Sequence, residues 1–171
     1  MNKDLNKDFN LQINCELYSG YLYLGMSEWL NRHGWIGAAH WMQIQALEEM
    51  THAEGLMKWV QRNDGELELP AIEAVEIKFD SLLDVFEKAE AHEKYITENI
   101  NKLVESSKKS ADRASKLFLD WYVMEQVEEE ENARDNILGI KLCKDDRAAL
   151  IAWDHGMSHR EFHHPTIPYL D

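Results

Sequence analysis

The chain has very little proline and cysteine. Its 171 residues include three prolines, Pro70, Pro165 and Pro168. The stretches between them are free of the residue that most reliably breaks a helix. The two cysteines, Cys15 and Cys143, form neither a CxxC pair nor a disulfide framework. That excludes a thiol-stapled scaffold and a thiolate zinc or iron–sulfur module, and it points to a reducing compartment, the cytosol. No apolar run is long enough to span a bilayer, and the polar opening Met1–Asn10 does not read as a secretory leader. Positive charge is also scarce, with 18 Lys and Arg against 32 Asp and Glu, a net charge of −14. A field of that sign repels nucleic acid and attracts cations, so neither nucleic acid nor membrane is an expected partner. With 44% hydrophobic residues, the chain nonetheless has enough apolar surface for a real core.

What is present is helical periodicity, with almost no strand alternation. Four long helices are expected: about Leu5 to His33, stopping at Gly34; about Ile36 to Asn63, stopping at Gly65; about Ser81 to Ser107; and from a cap at Ser110 or Asp112 to about Ile140. The connection from Gly65 to Asp80 contains Pro70 and reads as an extended crossover. Two tight hairpins joined by one long crossover define an all-α, ferritin-like four-helix bundle at about residues 5–140. A fifth helix is expected from about Asp145 to Glu161, with Leu150, Trp153 and Met157 as its apolar stripe. The proline-containing tail then completes a single domain over residues 1–171.

Polar residues interrupt the apolar lines of all four long helices. The third helix reads Leu82, Phe86, Ala89, Glu93, Ile96, Ile100, Leu103, with one carboxylate in an otherwise apolar seam. Glu16 stands on the line Phe9, Ile13, Glu16, Gly20, Tyr23, Ser27, Leu30. Glu49 and His52 stand on Met42, Gln45, Glu49, His52, Leu56, Trp59. Gln126 and Glu129 stand on Phe118, Tyr122, Gln126, Glu129, Ala133, Ile137. A buried carboxylate is costly unless it is paired or binds metal, and four at matching depth describe a site. Glu49 and His52, three apart, share a helix face. Hard carboxylates with one imidazole suit iron or manganese. The expected arrangement is a di-iron centre with unequal positions. One position is formed by Glu16, Glu49 and His52, the other by Glu49, Glu93 and Glu129, with Glu49 bridging and Gln126 beside them.

The segments Asn14–Ser19, Glu48–His52, His92–Glu93 and Trp121–Glu130 resemble the bacterial non-haem ferritins over roughly Phe9 to Ile140. The resemblance implies that Glu16, Glu49, His52, Glu93 and Glu129 form a ferroxidase centre, with Gln126 as its glutamine. It implies a third iron site from Glu48, Glu125, Glu128 and Glu129, with Tyr23 and Trp121 beside the centre. Because Glu48 and Glu49 are adjacent, they cannot share one face, so a second acidic cluster flanking the first is geometrically natural. The implied activity is oxidation of Fe2+ by O2 or H2O2, with ferric mineral stored in a homo-oligomeric cage of 24 subunits.

Competing readings are a non-catalytic iron-binding cage subunit and a haem-binding bacterioferritin. Met50 sits where bacterioferritins bind haem, but Gln126 replaces part of their second Glu-x-x-His and weighs against haem. A DNA-protecting mini-ferritin would be shorter and often carries a basic tail, and a rubrerythrin would need paired CxxC motifs. His155, His159 and His163, with His164, depart from the family pattern and are expected along one face of the fifth helix.

Overall fold

The computed structural model describes residues 1–170. It contains five helices: α1 Lys3–Arg32, α2 Ile36–Arg62, α3 Leu82–Lys109, α4 Arg113–Cys143 and α5 Arg147–Met157. No strand occurs among the described residues. The four long helices form two hairpins, α1–α2 and α3–α4, that pack as a bundle.

Local sequence accounts for the helix ends. Asn2, Ser81, Asp112 and Asp146 cap α1, α3, α4 and α5 by accepting from backbone N–H groups of the first turn. Helices α1, α2 and α3 each close with a left-handed residue, followed by a backbone N–H that returns to the helix. Gly34 (φ 83°), Asp64 (φ 52°) and Ala111 (φ 54°) supply the left-handed step. Trp35, Gly65 and Asp112 then donate to Leu30, Val60 and Ser107 at 3.0, 2.9 and 2.9 Å. Gly65, the expected stop of the second helix, is therefore the residue after the left-handed one.

Residues 66–79 form no helix and run the length of the bundle beside α1. Asn6 and Asn10, one turn apart, bind the start of this crossover. Their amides donate to the Glu66 carbonyl at 2.9 and 2.8 Å, and their side-chain oxygens accept from Glu66 and Glu68 N–H, each at 2.9 Å. Near the other end of α1, Val75 and Ile77 lie against Gly25, and Phe79 meets Trp29 edge-on at 5.7 Å. An extended chain of this length covers about 45 Å, enough to span a 27-residue helix.

The apolar interior is divided in two. One cluster, at the start of α1, includes Leu5, Phe9, Ile13, Leu56, Trp59, Ile100 and Phe118. The other includes Met26, Leu30, Ala38, Met42, Phe86 and Ile137. Between them along every long helix lie the buried polar residues: Glu16 on α1, Glu49 and His52 on α2, Glu93 on α3, and Gln126 and Glu129 on α4.

Helix α5 covers the second cluster. Trp153 lies edge-on to Phe86 at 5.5 Å, and Leu150 and Met157 pack beside it. Asp154 accepts from the N–H groups of Gly37 and Ala38 at 3.1 and 2.8 Å, capping α2, whose own Trp35 offers no side-chain cap. A Cβ on Gly37 would stand 1.6 Å from the Asp154 carbonyl oxygen, so this approach requires glycine.

Helix α5 ends at Met157, four residues before the expected boundary. Ser158 and His159 turn back on the last carbonyls, with N–H contacts to His155 and Gly156 at 3.3 and 3.2 Å. The expected histidine face does not form. His155 and His159 are adjacent at 5.1 Å between rings, whereas His163 and His164 lie on the non-helical tail. That tail returns along α2: the Arg160 carbonyl meets His40, Ile167 is buried against Gly55, and the Tyr169 carbonyl accepts from Arg62.

Candidate metal centre

The polar layer is buried. Glu16, Glu49, His52 and Glu93 are at most 3% exposed, and Gln126 and Glu129 are 6% exposed. Ligand atoms of Glu16, Glu49 and His52 all lie within 4.8 Å of one another, the only such group of three found among the described residues. His52 Nδ1 stands 3.4 Å from Glu49 Oε2, and its Nε2 stands 4.0 Å from Glu125 Oε2. The Tyr122 hydroxyl donates to the His52 carbonyl at 2.8 Å, and the Trp121 ring meets the imidazole edge-on at 5.7 Å. Aromatic packing thus fixes the one imidazole of the cluster.

Three of the four carboxylates, Glu16, Glu93 and Glu129, have a neutral hydrogen-bond donor. Gln12 donates to Glu16 Oε1 at 2.9 Å. Gln45 donates to Glu129 Oε2 at 2.6 Å. The Tyr23 hydroxyl donates to Glu93 Oε1, and Gln126 Nε2 lies 3.3 Å from Glu93 Oε2. Glu16 Oε2 has no partner at all, the one buried side-chain oxygen or nitrogen left so among the described residues. A buried carboxylate oxygen left without a partner costs stability unless a donor or a cation reaches it.

Electrostatics gives the same picture. Burial, and then the neighbouring Glu49 charge, pushes the Glu16 carboxyl well above the usual range. Burial and Glu93 do the same to Glu49, and burial with Glu93 and Glu49 to Glu129. Burial also raises Glu93, although hydrogen bonds from Tyr23 and Gln126 oppose the shift. Burial and the Glu93 charge hold the Tyr23 phenol well above its ordinary value. These four carboxylates cannot all be charged without nearby cations. Two divalent ions would balance them one for one. An all-oxygen set with one imidazole suits iron.

The flanking acids are arranged differently. Glu125 is half-buried beside His52, and Glu128 is exposed. Glu48 is ion-paired with Arg160, whose Nη1 also donates to Gln45 Oε1 at 2.8 Å. Met50, the residue weighed for haem, is 50% exposed on α2.

Gln12, Gln45 and Arg160 hold this layer together, and sequence reasoning assigned them no role. Gln12 had a readable signal, since it precedes Glu16 by one helical turn. Gln45 stood on the apolar line of α2 as another polar intruder. Arg160 had no local signal.

The sequence profile of the Ferritin family, described as a ferritin-like domain, matches residues 6–142. The chain is 42% identical over 142 residues to the bacterial non-heme ferritin of Campylobacter jejuni, covering 83% of this chain and 85% of that one. It is 28% identical over 162 residues to the Staphylococcus aureus protein of the same name, covering 95% and 98%. An engineered closed form of the Archaeoglobus fulgidus ferritin superimposes with a TM-score of 0.94 at 38% identity, covering 95% of this chain and 99% of that one. No helix is long and apolar enough to cross a membrane among the described residues. The buried acid–imidazole layer sits inside the region matched by the family profile, so the chain belongs to the ferritin family, among the bacterial non-haem ferritins.

Proposed function

We propose that the chain is an iron-storage ferroxidase: it oxidises Fe2+ with O2 or H2O2 at a di-iron centre in one subunit and passes Fe3+ to a mineral store. Iron here is substrate and cargo. The observation that carries the reading is the stranded, buried Glu16 Oε2 in the group where Glu16, Glu49 and His52 converge within 4.8 Å. These three residues would hold one iron, and Glu49, Glu93 and Glu129 the other. Gln126 and Tyr23 keep the Glu93 carboxylate in place. Glu125 and Glu128, with Glu129, and with Glu48 once it is released from Arg160, would receive an ion in transit beside the centre. The bound irons would supply the electrons for oxidant reduction. The protein's part is to exclude water, balance the charge that rises on oxidation and fix the imidazole.

The net charge of −14 favours attraction of Fe2+. A cytoplasmic cage of 24 copies would provide the enclosed store, and 24 chains of 20.0 kDa come to about 480 kDa. Glu49→Ala tests the centre. Stopped-flow absorbance after adding two Fe2+ per subunit should show initial oxidation slowed by about a hundredfold or more, since the variant removes the shared ligand of both positions. An initial rate equal to the parent's would sink the assignment.

A further inference from the structure

The segment beyond α5 places Arg160 where it can act on the centre. Its guanidinium has three anchors on α2: an ion pair with Glu48, a hydrogen bond to Gln45 Oε1 at 2.8 Å, and a position 4.2 Å over the Trp41 ring. Its carbonyl lies 2.9 Å from His40 Nε2, so that ring nitrogen must carry the proton. Trp41, Gln45 and Glu48 lie at i, i+4 and i+7, forming a continuous stripe under the arginine. The guanidinium fork matches this combination of carboxylate, amide oxygen and aromatic face in a way that an ammonium does not.

Gln45 carries the effect inward. Its oxygen faces Arg160, and its amide nitrogen donates to Glu129 Oε2 at 2.6 Å. Turning the amide over would set nitrogen against guanidinium and oxygen against carboxylate, two repulsions in place of two hydrogen bonds. Arg160 therefore fixes the polarity of Gln45, and Gln45 fixes Glu129.

Arg160 also brings a positive charge to Glu48, one of the acids that flank the centre. Arg160 and Glu48 are only 18% and 20% exposed, so water screens the pair weakly.

We propose that Arg160 is a positioning residue and a resident cation: it orients Glu129 through Gln45 and competes with a metal ion for Glu48, one of the acids beside the centre. Paired with the guanidinium, Glu48 is withheld from a third ion unless the arginine leaves. The inference deepens the di-iron reading and rests on it.

Calorimetric titration of metal-free, full-length protein with Zn2+, which does not change oxidation state, tests both. The parent should bind two ions per subunit. Arg160→Gln should bind a third, roughly ten- to a hundredfold more tightly than any third event in the parent, because a unit charge has left a half-buried site. Arg160→Lys restores the charge and should return to two. Arg160→Met keeps an apolar stem on Trp41 and carries the same expectation as Arg160→Gln should the latter not fold. A purely structural arginine would alter the melting temperature without raising the stoichiometry. Two ions in the uncharged variants, or three tight ions in the parent, overturns the proposal. A parent whose Zn2+ binding is unchanged by Glu49→Ala instead overturns the di-iron reading itself.

Discussion

Gly37→Ala should detach α5 from the bundle. The added Cβ would lie 1.6 Å from the Asp154 carbonyl oxygen and 2.6 Å from its carbon, a clash between backbones that no rotamer relieves. Helix α5 would have to retreat by well over an ångström. Its Asp154 carboxylate would then leave Gly37 and Ala38 N–H, for which Trp35 provides no substitute. Loss of a charged N-cap costs about 1–2 kcal/mol. Trp153, Leu150 and Met157 are half-buried against the second core cluster, and losing that contact costs about 1 kcal/mol each. Alanine recovers about 0.5–1 kcal/mol of helix propensity. The net is about 3–4.5 kcal/mol, capped by the docking energy of α5, since α5 can undock without the bundle unfolding. At roughly 2–4 °C per kcal/mol for a chain of this length, melting followed by circular dichroism should fall by about 6–18 °C. Asp154→Asn should lose only about 1 kcal/mol, because it keeps one acceptor. Gly37→Ala melting within about 2 °C of the parent would refute the reasoning.

Two further predictions concern stability. Glu16, Glu49 and Glu129 sit well above, and Glu93 above, the usual carboxylate range in the folded state. Their contribution is therefore fully present below the unfolded value of about 4.3 and is lost as pH rises through the folded values. His92, lowered to about 4 by burial, has the opposite sign and is silent above about pH 6.5. Metal-free protein should lose stability from pH 6.5 to 8.5 in urea unfolding, with a shallower fall in Glu16→Gln and a flat profile with saturating Zn2+; stability that rises over that interval contradicts the charge assignment. Ala111→Gly should gain about 0.5–1 kcal/mol in the same assay, because glycine accepts the left-handed φ of 54° without Cβ strain; an unchanged or lower midpoint counts against it.

Local chemistry carried most of the architecture. Ser81 and Asp112 occur as caps, Gly34 ends α1 in the left-handed conformation, and the crossover is non-helical. The acids of the centre stood out because a 3.6-residue period placed them on apolar lines, a pattern visible from each helix alone. Residues whose roles depend on distant partners left no such trace. Asp154 caps a helix more than a hundred positions earlier, and Arg160 meets Glu48 across a similar separation. The absence of any capping side chain before Ile36 was the only local sign that one comes from elsewhere. The fifth helix ends where its apolar stripe does, at Met157, short of the expected boundary, and the chain bends at Ser158 before placing Arg160 on α2.

The division of the apolar interior has a mechanical consequence. Two hydrophobic half-cores are stacked end to end, joined by four helices that run through a layer too polar to cohere without positive charge. In this polar seam, side-chain hydrogen bonds such as Tyr23 to Glu93 and Gln45 to Glu129 tie the helices in place of apolar packing. Cargo bound across four helices would rivet that seam. The ions a subunit handles would then also set how far its two ends move as one body.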